Sequence, residues 1–348
     1  MNIAVLGPGG VGGLVAAALA RASARVVVVA RASTATTIST EGVRVESVLL
    51  GDFVAHPRAV ARLREPVDVL IVATKAAGLA EALERVEATP RLVLPLLNGL
   101  DHLAVLRERF GEDPVVAGTI RVEADRPEPG VVVHTSKFLR VDMASHDPAM
   151  RAPMLKLAGT LTAAGVPARV YPPGDLASSP AERAEPIADG AESLTERAEP
   201  LAERAEPLAK GGEPPADGGE AQVMWSKLVR LNALACTTSA FDKLLGEIRS
   251  TPELRVELVG AIEEGCKVAH AEGAWIPSGD PLGELTAAHD TLGSSMQRDI
   301  AAGRLPELDA IPGSVLRAAA RHGIECPTIE RLVAMIAARA GIPPPGVP

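Results

Sequence analysis

Lys227 lies inside "MWSKLVRLNALACTTSA" (Met224–Ala240), an amine in a run of Leu, Val and Ala that has a buried helix's composition. Two readings are open from the residues alone. The stem can lie along apolar surface while the ammonium reaches water. Alternatively, the ammonium is held against a substrate oxygen and gives it a proton. A second cluster opens the chain: "GPGGVG" sets Gly7, Gly9 and Gly12 in the order G-x-G-x-x-G, after an apolar strand and at the start of a helical pattern. In that context glycines make a tight turn and let the backbone approach a pyrophosphate, whose charge suits the N–H groups of a helix start. Gly7, Pro8, Gly9, Gly10, Val11 and Gly12 are therefore expected to hold a dinucleotide; an ordinary tight strand–helix turn is the simpler alternative.

The second strand, "RVVVVA", ends at Arg31, where a dinucleotide-binding unit for NAD would carry an acid for the ribose hydroxyls. A guanidinium there suits the 2′-phosphate of NADP, and no carboxylate in the local sequence opposes it. NADPH/NADP+ is the expected cofactor, with Arg31 otherwise a surface residue at a strand end. Lys75, in "ATKAAG", closes another strand on the same edge. It is either a second positive contact to the cofactor or a solvated loop lysine.

These residues must be positioned by the elements around them. Short apolar strands at "NIAVL", "RVVVVA", "VDVLIVAT", "RLVLPLLNG" and "PVVAGTIRV" alternate with helical patterns such as "AAGLAEALERV" and "DHLAVLRERF". Apolar strands without internal alternation predict a parallel sheet covered on both faces. "GVVVHTS" and "FLRVDMAS" read as a later antiparallel pair, and a helix and a strand, "PARVYP", close the domain. From Met224 onward only helical patterns recur: 224–240, 251–272, 282–301, 308–322 and 328–340. The fold class is an α/β Rossmann domain followed by an all-α domain. The expected boundaries are 1–174 for the cofactor domain, 175–222 for an insert, 223–341 for the helical domain and 342–348 for a proline-rich tail.

The insert repeats every seven residues, as in AERAEPI, TERAEPL and AERAEPL. Proline inside a helix costs ~3 kcal/mol, so a continuous coiled coil is not expected and an acidic, disordered spacer is. Residues 178–222 hold 11 acidic and 4 basic residues, a balance of −7 out of the chain's −9, so the remainder carries −2. The acidity says little about the substrate, and a net negative chain does not predict nucleic-acid binding. Three separated cysteines suggest neither a disulfide framework nor a zinc site, and fit a reducing cytosol. The N-terminus lacks the form of a signal peptide, and no apolar run approaches the ~20 residues of a membrane span. A cytoplasmic protein without membrane partners is expected, and a homodimer is carried as an expectation.

"GPGGVGG", "TKA" at 74–76, "NGL" at 98–100, "WSKL" at 225–228, "SSMQRDI" at 294–300 and "ELD" at 307–309 occur together and in this order. In this the chain resembles the ketopantoate reductase (2-dehydropantoate 2-reductase) family over nearly its whole length, apart from the insert. The resemblance implies a Rossmann domain, a helical domain and an active cleft between them, with NADPH reducing a 2-oxo acid on the route to pantothenate. It makes Lys227 the catalytic lysine. It makes Asn98 a contact of both nicotinamide and substrate, where an Asn-Gly turn is the plainer reading. It makes Glu307 a catalytic neighbour of the lysine and of the cofactor, against a helix-start acid that complements the dipole. Ser295 becomes a substrate-carboxylate contact, against helix capping, since Ser294 and Gln297 already have the spacing of a capping box.

The chain departs from the family pattern after the lysine. Asparagines expected four and eight residues on are Leu231 and Ala235, while Asn232 stands five residues on. Five residues at ~3.6 per turn rotate about 140° from the lysine face. Asn232 reaches the substrate only if the helix carries an extra residue, as in a π-bulge; the same shift would bring Cys236 to the second position. A further polar contact of the family falls on Leu245. A more apolar pocket follows, and with it an alternative: the same chemistry on a more apolar 2-oxo acid or ketone. A protein that senses NADP(H) without turnover is the reading from a different class, and it has no use for a proton donor.

Overall fold

Unbroken Val, Ile and Leu runs form strands buried on both faces, and these build the centre of the first domain. The computed structural model describes residues 1–171 and 219–346. Strand β1 (Asn2–Leu6) leads into helix α1 (Gly10–Arg21) and strand β2 (Arg25–Val29). After helix α2 (Ala32–Glu41) come β3 (Val43–Ser47), β4 (Phe53–Ala55) and β5 (Arg58–Val60). Then follow β6 (Val69–Val72), helix α3 (Leu79–Leu83), β7 (Leu92–Pro95) and helix α4 (His102–Phe110). The five-stranded sheet has the order β5-β2-β1-β6-β7, and every pairing in it is parallel. Ile3, Val5 and Val28 pack under α1, while Leu6, Leu70 and Val72 face the core on the other side.

The remaining strands are β8 (Ala117–Arg121), β9 (Ala124–Asp125), β10 (Val131–His134), β11 (Arg140–Ala144) and, after helix α5 (Arg151–Ala163), β12 (Ala168–Val170). They correct two expectations. The segment 114–122 pairs with the parallel sheet through an isolated bridge from Val115 to Val93, and β8 then pairs antiparallel with β11. The stretches 130–136 and 138–145 do not pair with each other. β10 lies between β3 and β9, and β11 between β8 and β12. Buried His134, whose Nδ1 lies 2.8 Å from Ser47 Oγ, ties β10 to β3. Helix α2, "ASTATTISTE", was not expected because only Ala35 and Ile38 of it are buried, too few to write a period.

The second domain is built around helix α6 (Gly219–Phe241), followed by α7 (Leu245–Ser250), α8 (Pro252–Ala271), α9 (Gly279–Ala287) and α10 (Ser295–Ala301). The chain then makes a π-helical turn, Asp309–Gly313, and enters α11 (Ser314–Arg321) and α12 (Pro327–Ala340). Helix α6 is buried nearly all round because α8, α9, α10, α12 and β8 all pack on it. Trp225 is its largest fully buried side chain; truncating such a ring to Ala costs ~3–5 kcal/mol. The helix begins at Gly219, so residues 219–222 belong to it rather than to the insert. Glu220 explains this, since it accepts from Arg107 at 2.6 Å and from the backbone of His146 at 3.1 Å. The heptads up to residue 218, and residues 347–348 of the tail, lie outside the described residues. The pattern 282–301 is two helices, separated by a turn around Asp290–Gly293. All three cysteines are buried free thiols.

Candidate active site

The two domains meet along a cleft of about 810 Å³. Its N-terminal wall is the carboxyl edge of the parallel sheet, where the loops after β1, β2, β6 and β7 end. Gly7 through Val11 line it, and helix α1 points its N-terminus into it. No side chain caps that terminus and its first turn has no acid, so its N–H groups are left for an anion. Gly12 is required by close packing, since a Cβ there would sit 2.2 Å from Gly7 O. Above Gly9 a Cβ would meet nothing within 4 Å. A tight loop, an uncapped helix start and open space over Gly9 fit a dinucleotide pyrophosphate.

Arg31 lines the same cleft, but it is not alone there. Its Nη2 donates to Glu81 Oε2 at 3.2 Å, and Glu81 also accepts from Arg85 at 2.8 Å. Both guanidinium groups hold the Glu81 carboxyl below its ordinary range. The local sequence after Arg31 contains no carboxylate; the fold brings one from α3. Two arginines flank one acid, so the rim keeps a positive balance. Lys75 makes a cross-domain contact: its Nζ donates to buried Asp299 Oδ2 at 2.6 Å, and Arg304 Nε donates to the other oxygen at 2.8 Å. Lys75 is thus neither a plain solvated lysine nor a free cation. It ties the rim of the first domain to α10, and Asp299 was not expected from its type and spacing.

Three candidate residues converge at the floor of the cleft. Lys227 Nζ donates to Asn98 Oδ1 at 2.8 Å, and Asn98 Nδ2 donates to Glu307 Oε2 at 3.0 Å. The amide is oriented by its partners: the oxygen must face the ammonium and the nitrogen the carboxylate. Burial pulls the Lys227 ammonium down to about 8, opposed by the Glu307 charge and aided by Arg230 and Arg121. Buried His102, near Lys227, is pushed down to about 4, chiefly by burial, and stays neutral.

The backbone explains how Asn98 is aimed. Gly99 has φ +84°, and a Cβ on it would fall 1.9 Å from Ala310 O in the π-helical turn. Arg317 fastens the same junction, donating to Asp101 Oδ2 at 2.6 Å and to Asp309 Oδ1 at 2.8 Å. The Asn-Gly turn and the turn after Glu307 are therefore packed backbone to backbone. The structure does contain a π-turn, but at Asp309–Gly313, beside Glu307.

Both domains match the same family. The family model described as "Ketopantoate reductase PanE/ApbA" matches residues 3–147, and the "Ketopantoate reductase PanE/ApbA C terminal" model matches residues 221–340. The chain belongs to the ketopantoate reductase family. Membership makes it an NADP-dependent oxidoreductase with a Rossmann domain and a helical domain. A similar curated protein is the 2-dehydropantoate 2-reductase of Halobacterium salinarum, 27% identical across 97% of this chain and 98% of that one. Another is an uncharacterized oxidoreductase, YkpB, of Bacillus subtilis, 24% identical across 96% and 97%. Among solved structures, the 2-dehydropantoate 2-reductase of Geobacter metallireducens superposes with TM-score 0.77 at 22% identity, covering 97% of this chain and 99% of its own. A D-mandelate dehydrogenase with NADH and anilino(oxo)acetate superposes with TM-score 0.77 at 19% identity, covering 98% and 99%. These structures share the fold.

Within this ketopantoate reductase fold, Asn232 does not reach the cleft. Helix α6 is α-helical from Gly219 to Phe241, with no bulge after Lys227. Asn232 is 0% exposed, its Oδ1 accepts from Cys236 Sγ at 3.4 Å, and its Nδ2 has no partner among the described residues. Leu231 and Leu234 line the cleft in its stead. Ser295 lines the cleft as the exposed first residue of α10. The cap is Ser294, whose Oγ accepts from Gln297 N at 3.0 Å. The reciprocal contact of a capping box, Ser294 N to the Gln297 side chain, is not made among the described residues, and Gln297 Nε2 donates to Asp242. Arg230 and Arg121 also line the cleft and were missed. Arg230 was legible in principle, for it follows Lys227 by three residues on the same helical face.

Proposed function

We propose that the protein reduces a 2-oxo acid with NADPH, with 2-dehydropantoate as the first substrate to test and pantoate as its product. The observation that carries this reading is the chain Lys227–Asn98–Glu307, drawn from both domains. The bound nicotinamide supplies the hydride for the carbonyl carbon. Lys227, charged below about pH 8, gives its proton to the carbonyl oxygen as negative charge develops there. Asn98 fixes the direction of the ammonium, and Glu307 fixes Asn98. Gly7 through Val11 hold the pyrophosphate, with Gly12 packed close behind Gly7, and Arg31 with Arg85 face the 2′-phosphate. The Lys75–Asp299 contact draws the walls together and helps exclude water.

A second substrate reading has its own observation. Leu231 and Leu234 face the cleft, and Asn232 is buried away from it. A pocket without a partner for the substrate hydroxyl favours a more apolar 2-oxo acid. A homodimer remains part of the proposal, since the related ketopantoate reductase of Staphylococcus aureus is described as dimeric.

The test is NADPH oxidation followed by absorbance, with 2-dehydropantoate, 2-oxoisovalerate and phenylglyoxylate. Turnover of 2-dehydropantoate above the others supports the first reading. Turnover only of the apolar acids supports the second. NADPH binding with no turnover of any of them contradicts both and supports a sensor.

A further inference from the structure

The asparagine expected to hold the substrate is absent from the cleft, yet a 2-oxo acid brings a carboxylate that must be met. Arg230 stands one short turn beyond Lys227 on α6, its side chain only 16% exposed, and lines the cleft beside Leu231. Its Nε lies 3.1 Å from Glu284 Oε2, without the direction of a hydrogen bond. Its two Nη groups make no hydrogen bond among the described residues. Only Nε of the guanidinium is buried without a hydrogen bond, while the fork of Nη groups lines the cleft, where an anion can complete it.

The neighbours are arranged as a brace. Arg121 Nη1 donates to the same Glu284 Oε2 at 2.7 Å, and its Nη2 reaches Ser226 O, one residue before the lysine, at 3.4 Å. Two guanidinium groups thus share the Glu284 carboxylate, and Glu123, on the same cleft wall, also acts on Arg230. Both arginines act on the Lys227 ammonium, so they stand within electrostatic reach of it. In a 2-oxo acid the carboxylate is bonded directly to the carbonyl carbon, so its anchor must lie close to the proton donor.

We propose that Arg230 is the carboxylate anchor of the substrate, with Arg121 and Glu284 as positioning residues. The substrate class is then a 2-oxo monocarboxylate whose side chain rests on Leu231 and Leu234. This rests on the 2-oxo acid reading above and replaces Asn232 as the binding group; Ser295 is left at the rim.

The experiment compares each acid with its neutral primary amide, using 2-dehydropantoate and 2-oxoisovalerate, in wild type, Arg230→Gln and Arg230→Lys. The ratio of kcat/KM for acid over amide is expected to fall about 10- to 100-fold in Arg230→Gln, the range for a lost charged hydrogen bond. Arg230→Lys keeps the charge without the fork and should fall between. Nucleotide fluorescence checks that NADPH still binds; if Arg230→Gln does not fold, Arg230→Lys carries the comparison. An acid-to-amide ratio unchanged in a folded variant overturns the anchor. If wild type turns over neither acid, the proposed function fails separately, and calorimetry with NADP+ and 2-oxoisovalerate still reads Arg230. Wild-type affinity lost in the variant sustains the anchor, while affinity retained in the variant, or absent in wild type, overturns it.

Discussion

The two walls of the cleft recognise by different means. The N-terminal wall presents mainly main chain to the cofactor, since the glycine loop and the bare start of α1 offer N–H groups, and it adds Asn98 and Arg121 at the floor. The C-terminal wall presents side chains: Lys227 and Arg230 from one face of α6, and Glu307 from the entry to the π-helical turn. A main-chain site is specified by local spacing, because what matters is where no Cβ stands. A side-chain site depends on which face of a helix is turned to the cleft, and that is decided by packing far along the chain.

This difference orders the predictions. The largest effect belongs to Lys227→Ala, which removes the proton donor. A fall in kcat of ~10²–10⁴ is expected, with NADPH affinity by fluorescence nearly unchanged, because the two walls are separate. A parallel loss of NADPH affinity would break the division between them. Gly99→Ala tests the seam. A Cβ at a positive φ, driven into Ala310 O, is expected to cost ~1–3 kcal/mol. It should shift the thermal midpoint down and lower kcat by moving Asn98 from the lysine, while the glycine loop still binds NADPH.

Arg31→Ala should act at the rim alone. The NADPH preference over NADH, measured as a ratio of kcat/KM, should fall about 10-fold, the scale of one charged hydrogen bond. Arg85 remains at the rim in that variant, balanced there by Glu81. The smallest effect belongs to Asn232→Ala. Since Asn232 is buried with an unpartnered Nδ2, substrate KM should change less than about twofold, and stability should move within the ~1–3 kcal/mol of a single buried site. A large rise in KM would mean that α6 presents a different face during turnover.

The legibility of the site follows the same physics. The glycine loop was readable because Gly7, Gly9 and Gly12 directly follow a short apolar strand, "NIAVL". The helical second domain was readable from its periodicity, although the 282–301 pattern hid a break at Asp290–Gly293. Helices in the second domain could be found, but their facing could not. Asn232 is a polar residue near the lysine in sequence and turned away from it in space. Arg230 is charged and was passed over, although its three-residue spacing from Lys227 puts it on the same side. Glu81 and Asp299 are brought to the cleft from elements remote in sequence from their partners, and no local pattern announces them. The antiparallel pair expected between 130–136 and 138–145 failed because β10 pairs with β3 and β11 with β12, partners remote in sequence that no local pattern names.

The central claim is that a lysine held near neutrality donates the proton. The pH profile of kcat/KM for 2-oxo acid reduction, in wild type and in Lys227→Ala, tests it most directly. Reduction needs the charged ammonium, so the wild-type rate should be level in mild acid and fall as pH rises through about 8. The variant should be slow and lack that break. A variant that keeps the wild-type rate, or the same break near pH 8, would contradict the assignment of Lys227.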